Sequence, residues 1–221
     1  MFKSNPIKPN LKTEALPILL LIITGLASIY FYSVFPERIP VHWNMAGKID
    51  DWGSKTFGAF MLPTVMLGLY LLFLVLPYLD PRKKNYKQFS QIYHGFKTLI
   101  LLFMGIIYFI VGLNALEYSI AVETWVPVLV GILFIIIGSY MAKIKSNWFI
   151  GIRTPWTLSS EEVWNKTHRL GGKLFILGGL LMILTPALPE KLKAYLFIFI
   201  VLLVSLGSIG YSYFLYQKIG K

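Results

Sequence analysis

The sequence predicts an all-α integral membrane protein with six transmembrane helices, and three observations carry that prediction. The chain of 221 residues is 56% hydrophobic, with a mean hydropathy of +0.65. Only 14% of its residues are charged, against about 25% in soluble globular domains. The apolar residues fall into six blocks, at about 16–35, 57–79, 98–116, 125–142, 170–188 and 194–216, each near the roughly 20 residues that a helix needs to cross a bilayer. Backbone facing lipid must satisfy its own hydrogen bonds, which makes helices the expected element.

The first block is too long and, with Tyr30, Phe31, Tyr32 and Phe35 at its end, too aromatic for a cleaved signal peptide. Pro17 is expected in its first turn, where the missing N–H costs little. In the loop that follows, residues 36–56, Ile39, Val41 and Trp43 alternate with polar neighbours. Asn44, Met45, Ala46 and Gly47 then read as a turn, and residues 49–52 can return, a pattern that predicts a small hairpin on the membrane surface. The second block completes an N-terminal two-span part, residues 1–90. Residues 91–221 form a four-span part, divided by a polar segment at 143–173. Glycines recur seven apart at Gly105 and Gly112, Gly131 and Gly138, Gly171 and Gly178, and Gly172 and Gly179. Each pair lies on one helix face, where small residues favour close packing in lipid. In the fifth block only about 15 residues after Lys173 are continuously apolar, so that side chain must snorkel, or the span is thin or re-entrant.

Charge sets the expected orientation. Lys3, Lys8 and Lys12 precede the first block, Arg82, Lys83, Lys84, Lys87 and Lys97 follow the second, and Lys218 and Lys221 close the chain. Lys143, Lys145, Arg153, Lys166, Arg169 and Lys173 lie in the polar segment, whereas the opposite loops hold only Arg38, Lys48, Lys55, Lys191 and Lys193. The positive-inside rule places both termini and the 143–173 segment in the cytoplasm, and the hairpin outside. The net charge of +11 is accounted for by this topology and by anionic lipid, without direct nucleic-acid binding. Tryptophans sort in the same way: Trp43, Trp52 and Trp125 on the outer side, Trp148, Trp156 and Trp164 on the inner, as in an aromatic belt.

Specific information concentrates in residues 147–173, NWFIGIRTPWTLSSEEVWNKTHRLGGK. Gly151 permits a bend, and the residue before Pro155 is biased away from helix. Ser159 and Glu162 have the spacing of a capping box, opening an amphipathic interfacial helix on which Trp164 and His168 share a face. Arg153 calls for a defined partner, such as the Glu161 or Glu162 carboxylate. All Asp and Glu fall in loops or termini, which lowers the expectation of an ion-coupled transporter. Lining such a path would fall to Thr24, Asn114, Ser139, Thr185 and Ser205. An enzyme acting on lipid would need a water-filled cleft converging on Arg153 and His168. No catalytic motif is present, and with no cysteines thiol chemistry is absent. His42, Asp50 and Asp51 lack metal-ligand spacing, and neither metal nor cofactor is expected.

The string from Gly151 to Phe175, GIRTPWTLSSEEVWNKTHRLGGKLF, resembles the signature of the SdpI family of bacterial membrane immunity proteins. The loop IPVHWNMAGKIDDWGSK is similar to a short two-span domain of unknown function that often precedes it. Gly151, Arg153, Thr154, Pro155, Trp156, Thr157, Trp164 and Arg169 carry the match. The resemblance implies a multi-pass bacterial plasma-membrane protein without catalytic residues. The family's namesake protects its producer from a secreted peptide toxin, and in this chain the loop residues expected to face such a peptide are His42, Trp43, Asn44, Asp50, Asp51 and Trp52. The namesake also holds a cytoplasmic repressor at the membrane, and the residues of the polar segment expected to dock such a partner are Arg153, Thr154, Pro155, Trp156, Trp164, His168 and Arg169.

Overall fold

The computed structural model describes residues 7–219; Lys3 and Lys221 lie outside them. Seven α-helices and one hairpin make up the described residues. In chain order they are α1 (Leu11–Val34), β1 (Arg38–Trp43), β2 (Ile49–Ser54), α2 (Lys55–Leu79), α3 (Ser90–Ala115), α4 (Val122–Met141), α5 (Pro155–Ser159), α6 (Glu161–Leu184) and α7 (Glu190–Ile219). Short 3₁₀ segments occupy Lys83–Phe89 and Thr185–Ala187. All helices except α5 are long and apolar enough to cross a membrane, six in total. The helical membrane fold is therefore as expected.

Two boundaries differ from the sequence expectation. Asn10 caps α1 through a box with Thr13, so Pro17 lies inside the helix and not in its first turn. α6 begins at Glu161, nine residues ahead of the apolar block, and runs unbroken for 24 residues. The expected interfacial helix is thus the opening of the fifth span itself. At 1.5 Å per residue α6 covers about 36 Å, ample for a hydrocarbon core of about 30 Å.

The chain divides into two compact units. One comprises Pro9–Leu74 and Gly95–Val126. Its apolar centre joins Phe31, Phe35, Ile39, Ala59, Tyr108 and Ala115. Phe31 and Phe35 stack at 4.8 Å, and the Tyr108 hydroxyl donates to the Ala59 carbonyl at 2.8 Å. Ile39, fully buried, ties the hairpin to this centre. β1 and β2 pair antiparallel from Arg38 opposite Ser54 to Trp43 opposite Ile49, with irregularities on either side of His42. In the turn, Asn44 Oδ1 accepts from the Ala46 and Lys48 amides, and Gly47 takes φ +75°, a left-handed conformation that glycine adopts freely.

This unit also overturns one sequence expectation. Glu14 and Lys97 are not loop charges: both are buried, and Lys97 Nζ meets the two Glu14 oxygens at 2.6 and 2.5 Å. The Tyr70 hydroxyl donates to Glu14 at 3.0 Å and Thr13 donates at 3.0 Å. The helices bury this charged group because it is paired and hydrogen-bonded.

Among the described residues the other unit comprises 7–8, 75–94 and 127–219. The glycine spacing sets its packing. A side chain at Gly131 or Gly138 would come within 2.6 Å of the Gly179 or Gly172 carbonyl respectively. α4 and α6 therefore approach backbone to backbone. The adjacent pair on α6, Gly171 and Gly178, meets other neighbours, among them Ser208, Ile200 and Val204 of α7.

Candidate functional site

The polar segment is ordered by a chain of hydrogen bonds within the second unit. Asn147, fully buried, shapes its first turn. Its Oδ1 accepts from the Phe149 and Ile150 amides, and its Nδ2 donates to the Lys145 and Ile150 carbonyls. Gly151 follows with φ +111°, and a side chain there would collide with the His168 ring. The chain then turns so that the Ile152 amide donates to His168 Nε2 at 2.9 Å.

That contact fixes the histidine's chemistry. An amide can only donate, so Nε2 presents its lone pair and the ring proton sits on Nδ1. Nδ1 in turn donates to the Trp164 carbonyl at 2.8 Å. The Trp164 and His168 rings stack at 4.0 Å, on one face as their spacing predicts. Trp164 Nε1 donates to the Ile144 carbonyl at 2.8 Å. With a side chain only 1% exposed, Trp164 is a core residue and not part of an interfacial belt.

Thr154 and Thr157 make a capping box around α5, and Thr154 Oγ1 lies 3.1 Å from Ser212 Oγ on α7. Trp156 meets Tyr213 of α7 edge-on at 5.0 Å. This box changes the expected start of α6. Because α5 takes residues 155–159, Ser159 donates back to the Pro155 carbonyl and the cap passes to Ser160, which accepts from the Val163 amide. Arg153 does not reach Glu161 or Glu162; its guanidinium donates to the Trp148 carbonyl at 2.9 Å. Glu162 pairs instead with Lys166, at 2.7 Å.

Residues that the sequence reading did not single out hold this segment from the side. Asp80 is buried, and its carboxylate accepts from the Tyr86 hydroxyl and the Trp148 amide, each at 2.9 Å, and from the Arg82 amide at 2.6 Å. Arg82 donates to Ser146 and to the Leu158 carbonyl, and Asn85 donates to the Ser146 carbonyl. The sequence signal was a lone acid directly before Pro81 and a cationic run. The partners that tie it to the polar segment, Trp148 for Asp80 and Ser146 and Leu158 for Arg82 and Asn85, lie more than sixty positions away, beyond any local pattern.

Of the inner residues singled out from sequence, Thr154, Trp164 and His168 are buried, Trp156 is half-buried, and Arg153, Pro155 and Arg169 are exposed. The buried residues fix the backbone from which the exposed ones project. In the hairpin, His42 Nδ1 lies 2.6 Å from Asp50 Oδ1. Trp52 is 47% exposed, Asp50 and Asp51 are exposed, and Trp43 and Asn44 are half-buried. Among the described residues no group of three or more His, Cys, Asp or Glu side chains is placed to hold a metal ion. Of the span residues singled out from sequence, Thr24, Asn114, Ser139 and Ser205 each donate to a carbonyl of their own helix, and Thr185 donates to the Leu181 carbonyl of α6. Their polarity is spent on backbone.

Fold and site together define a multi-pass helical membrane protein that carries a rigid, hydrogen-bonded polar segment between its fourth and fifth spans. Residues 143–212 match the SdpI/YfhL protein family, and residues 19–67 match a domain of unknown function (DUF1648). The chain is 31% identical over 209 residues to the immunity protein SdpI of Bacillus subtilis (strain 168), covering 95% of this chain and 98% of that protein. No solved structure matches the chain. The chain belongs to the SdpI family and is a multi-pass protein of the bacterial plasma membrane.

Proposed function

We propose that this chain is a non-enzymatic immunity protein that protects the cell producing it from a secreted peptide toxin. The observation that carries this reading is the end-to-end likeness to a protein named for immunity. In the proposed orientation both termini and residues 143–173 are cytoplasmic, and the hairpin faces outward as part of an N-terminal domain, residues 1–90. His42, Trp43, Asn44, Asp50, Asp51 and Trp52 then meet the toxin. The exposure of β2 supports this, as does the anchoring of the hairpin through Ile39. The test is to express the protein in a toxin-sensitive strain and to challenge it with the cognate peptide. Survival is expected, and death at the same dose as cells lacking the protein rejects the reading.

A second function rests on the rigid segment of the domain at 91–221: recruitment of a cytoplasmic repressor to the membrane. Arg153, Pro155, Trp156 and Arg169 give it an accessible cationic and aromatic surface on a backbone locked by Thr154, Trp164 and His168. Arg153→Ala is expected to abolish co-fractionation of the repressor with membranes while protein levels hold. Undiminished co-fractionation in the R153A/R169A double variant removes this second function and leaves the first intact.

A further inference from the structure

Between residues 81–85 and 158–161 the second unit carries a cleft of about 380 Å³, within the usual range for small-ligand sites. One wall is Arg82, Lys83 and Lys84; the other is Leu158, Ser159, Ser160 and Glu161. We propose that this cleft binds the headgroup of an anionic phospholipid, with the phosphate on the lysine wall and the headgroup hydroxyls at Glu161.

Position is the first argument. Three candidate spans have an end here: α2 closes at Leu79, the third span opens at Lys83 and the fifth opens at Glu161. A cleft between the ends of spans sits at headgroup depth, where phosphate is the commonest anion. Charge is the second. Lys83 and Lys84 make no ion pair with a carboxylate among the described residues, so their ammonium groups remain available to an incoming anion. Lys166, by contrast, already has Glu162. Rigidity is the third. Arg82 is fixed across the cleft floor by its bonds to Ser146 and Leu158, and Asp80 accepts from the Arg82 amide. The lysine wall is thereby preorganised, which lowers the cost of binding.

Glu161 selects among phosphate-bearing ligands. A carboxylate opposite two lysines repels a bare phosphate with a full double charge but accepts hydrogen bonds from a hydroxyl-bearing headgroup. The cleft therefore matches a phosphodiester carrying hydroxyl groups, as in phosphatidylglycerol, better than inorganic phosphate. A second polar hollow shares Asn85 and Glu161 with it and adds Gln88, Lys145 and Asn165, so polar lining continues beyond the phosphate position.

The experiment is native mass spectrometry of the purified full-length protein in detergent, titrated with phosphatidylglycerol or phosphatidylcholine. Wild type is expected to retain phosphatidylglycerol preferentially. The double variant Lys83→Gln/Lys84→Gln should lose about tenfold or more in affinity, since each lysine near an anionic lipid is worth about 1 kcal/mol. Lys83→Arg/Lys84→Arg should keep binding, which shows that the fold tolerates change at these positions. Lys87, exposed on the same 3₁₀ segment but outside the cleft, is the control, and Lys87→Gln should bind as wild type does. The proposal is overturned by equal retention of both lipids, by unchanged binding in the double glutamine variant, or by an equal loss in Lys87→Gln. Displacement of the lipid by millimolar inorganic phosphate overturns it too, because the site would then recognise free phosphate.

Discussion

The two units bury polar chemistry in opposite ways. The Pro9–Leu74 and Gly95–Val126 unit buries a full ion pair, Glu14 with Lys97, braced by Tyr70 and Thr13. The unit that holds the polar segment buries a neutral imidazole and an indole, each bonded to backbone, and holds its buried Asp80 carboxylate with a hydroxyl and two backbone amides in place of a cation. A buried ion pair is all or nothing: losing one partner strands the other's charge, which is far costlier than losing the pair together. A network of neutral bonds to backbone fails in steps of about 1 kcal/mol, one group at a time. The first arrangement suits three helices that must meet in one way. The second suits a loop that must keep a shape while its surface is used.

The largest effect is expected at the ion pair. Lys97→Met should cost roughly 3–5 kcal/mol in reversible unfolding from mixed micelles, by stranding Glu14, and Glu14→Leu/Lys97→Met should recover most of it. If the double variant is as unstable as the single, the pair is not the source of the cost and the contrast between the units collapses. Next comes Gly151→Ala, which places a side chain against His168 at φ +111°. A loss of about 1–3 kcal/mol is expected from backbone strain alone, with thermal melting as the measure. Trp164→Phe keeps a ring for stacking but leaves the Ile144 carbonyl bare, for about 1–2 kcal/mol. A loss as large as that of Lys97→Met would show that the neutral network is as cooperative as the charged one. Lys166→Ala is the smallest: it breaks an exposed pair with Glu162 on α6, and a shift of about 0.5 kcal/mol or less is expected.

How much of this the sequence shows depends on how far apart the partners lie. The hairpin was legible because strand alternation and an Asn-to-Gly turn are local. The glycine rows were legible because a spacing of seven survives in any helix, and the structure adds which helix meets which row. The stacking of Trp164 on His168 follows from a separation of four. The Glu14–Lys97 pair was not legible, with its members 83 positions apart, and each residue alone looks like a loop charge beside a span. Asp80 was hidden for the same reason. The start of α6 was misplaced because residues 161–169 are polar enough to pass for an interfacial helix; Val163, Trp164, Thr167 and His168 are in fact buried. The cap moved by one residue because Thr154 and Thr157 open a separate turn first, and two overlapping cap patterns cannot be ranked by spacing alone.

The paired glycine rows of α6 have one more consequence. Successive residues are turned by about 100° around a helix axis, so Gly172 and Gly179 present one bare stripe while Gly171 and Gly178 present another. His168 lies one turn before Gly172, near its line, whereas Trp164 and Thr167, two turns and one turn before Gly171, lie near the line of Gly171. Rotation of α6 is therefore indexed twice, by backbone contact along its length and by the imidazole at its head. Inserting or deleting a single residue between His168 and Gly171 would force a choice between the two indices. Either the glycines stay seated and the imidazole swings away from Ile152, or the imidazole stays and bulky side chains meet α4. In this stretch, length is as constrained as identity.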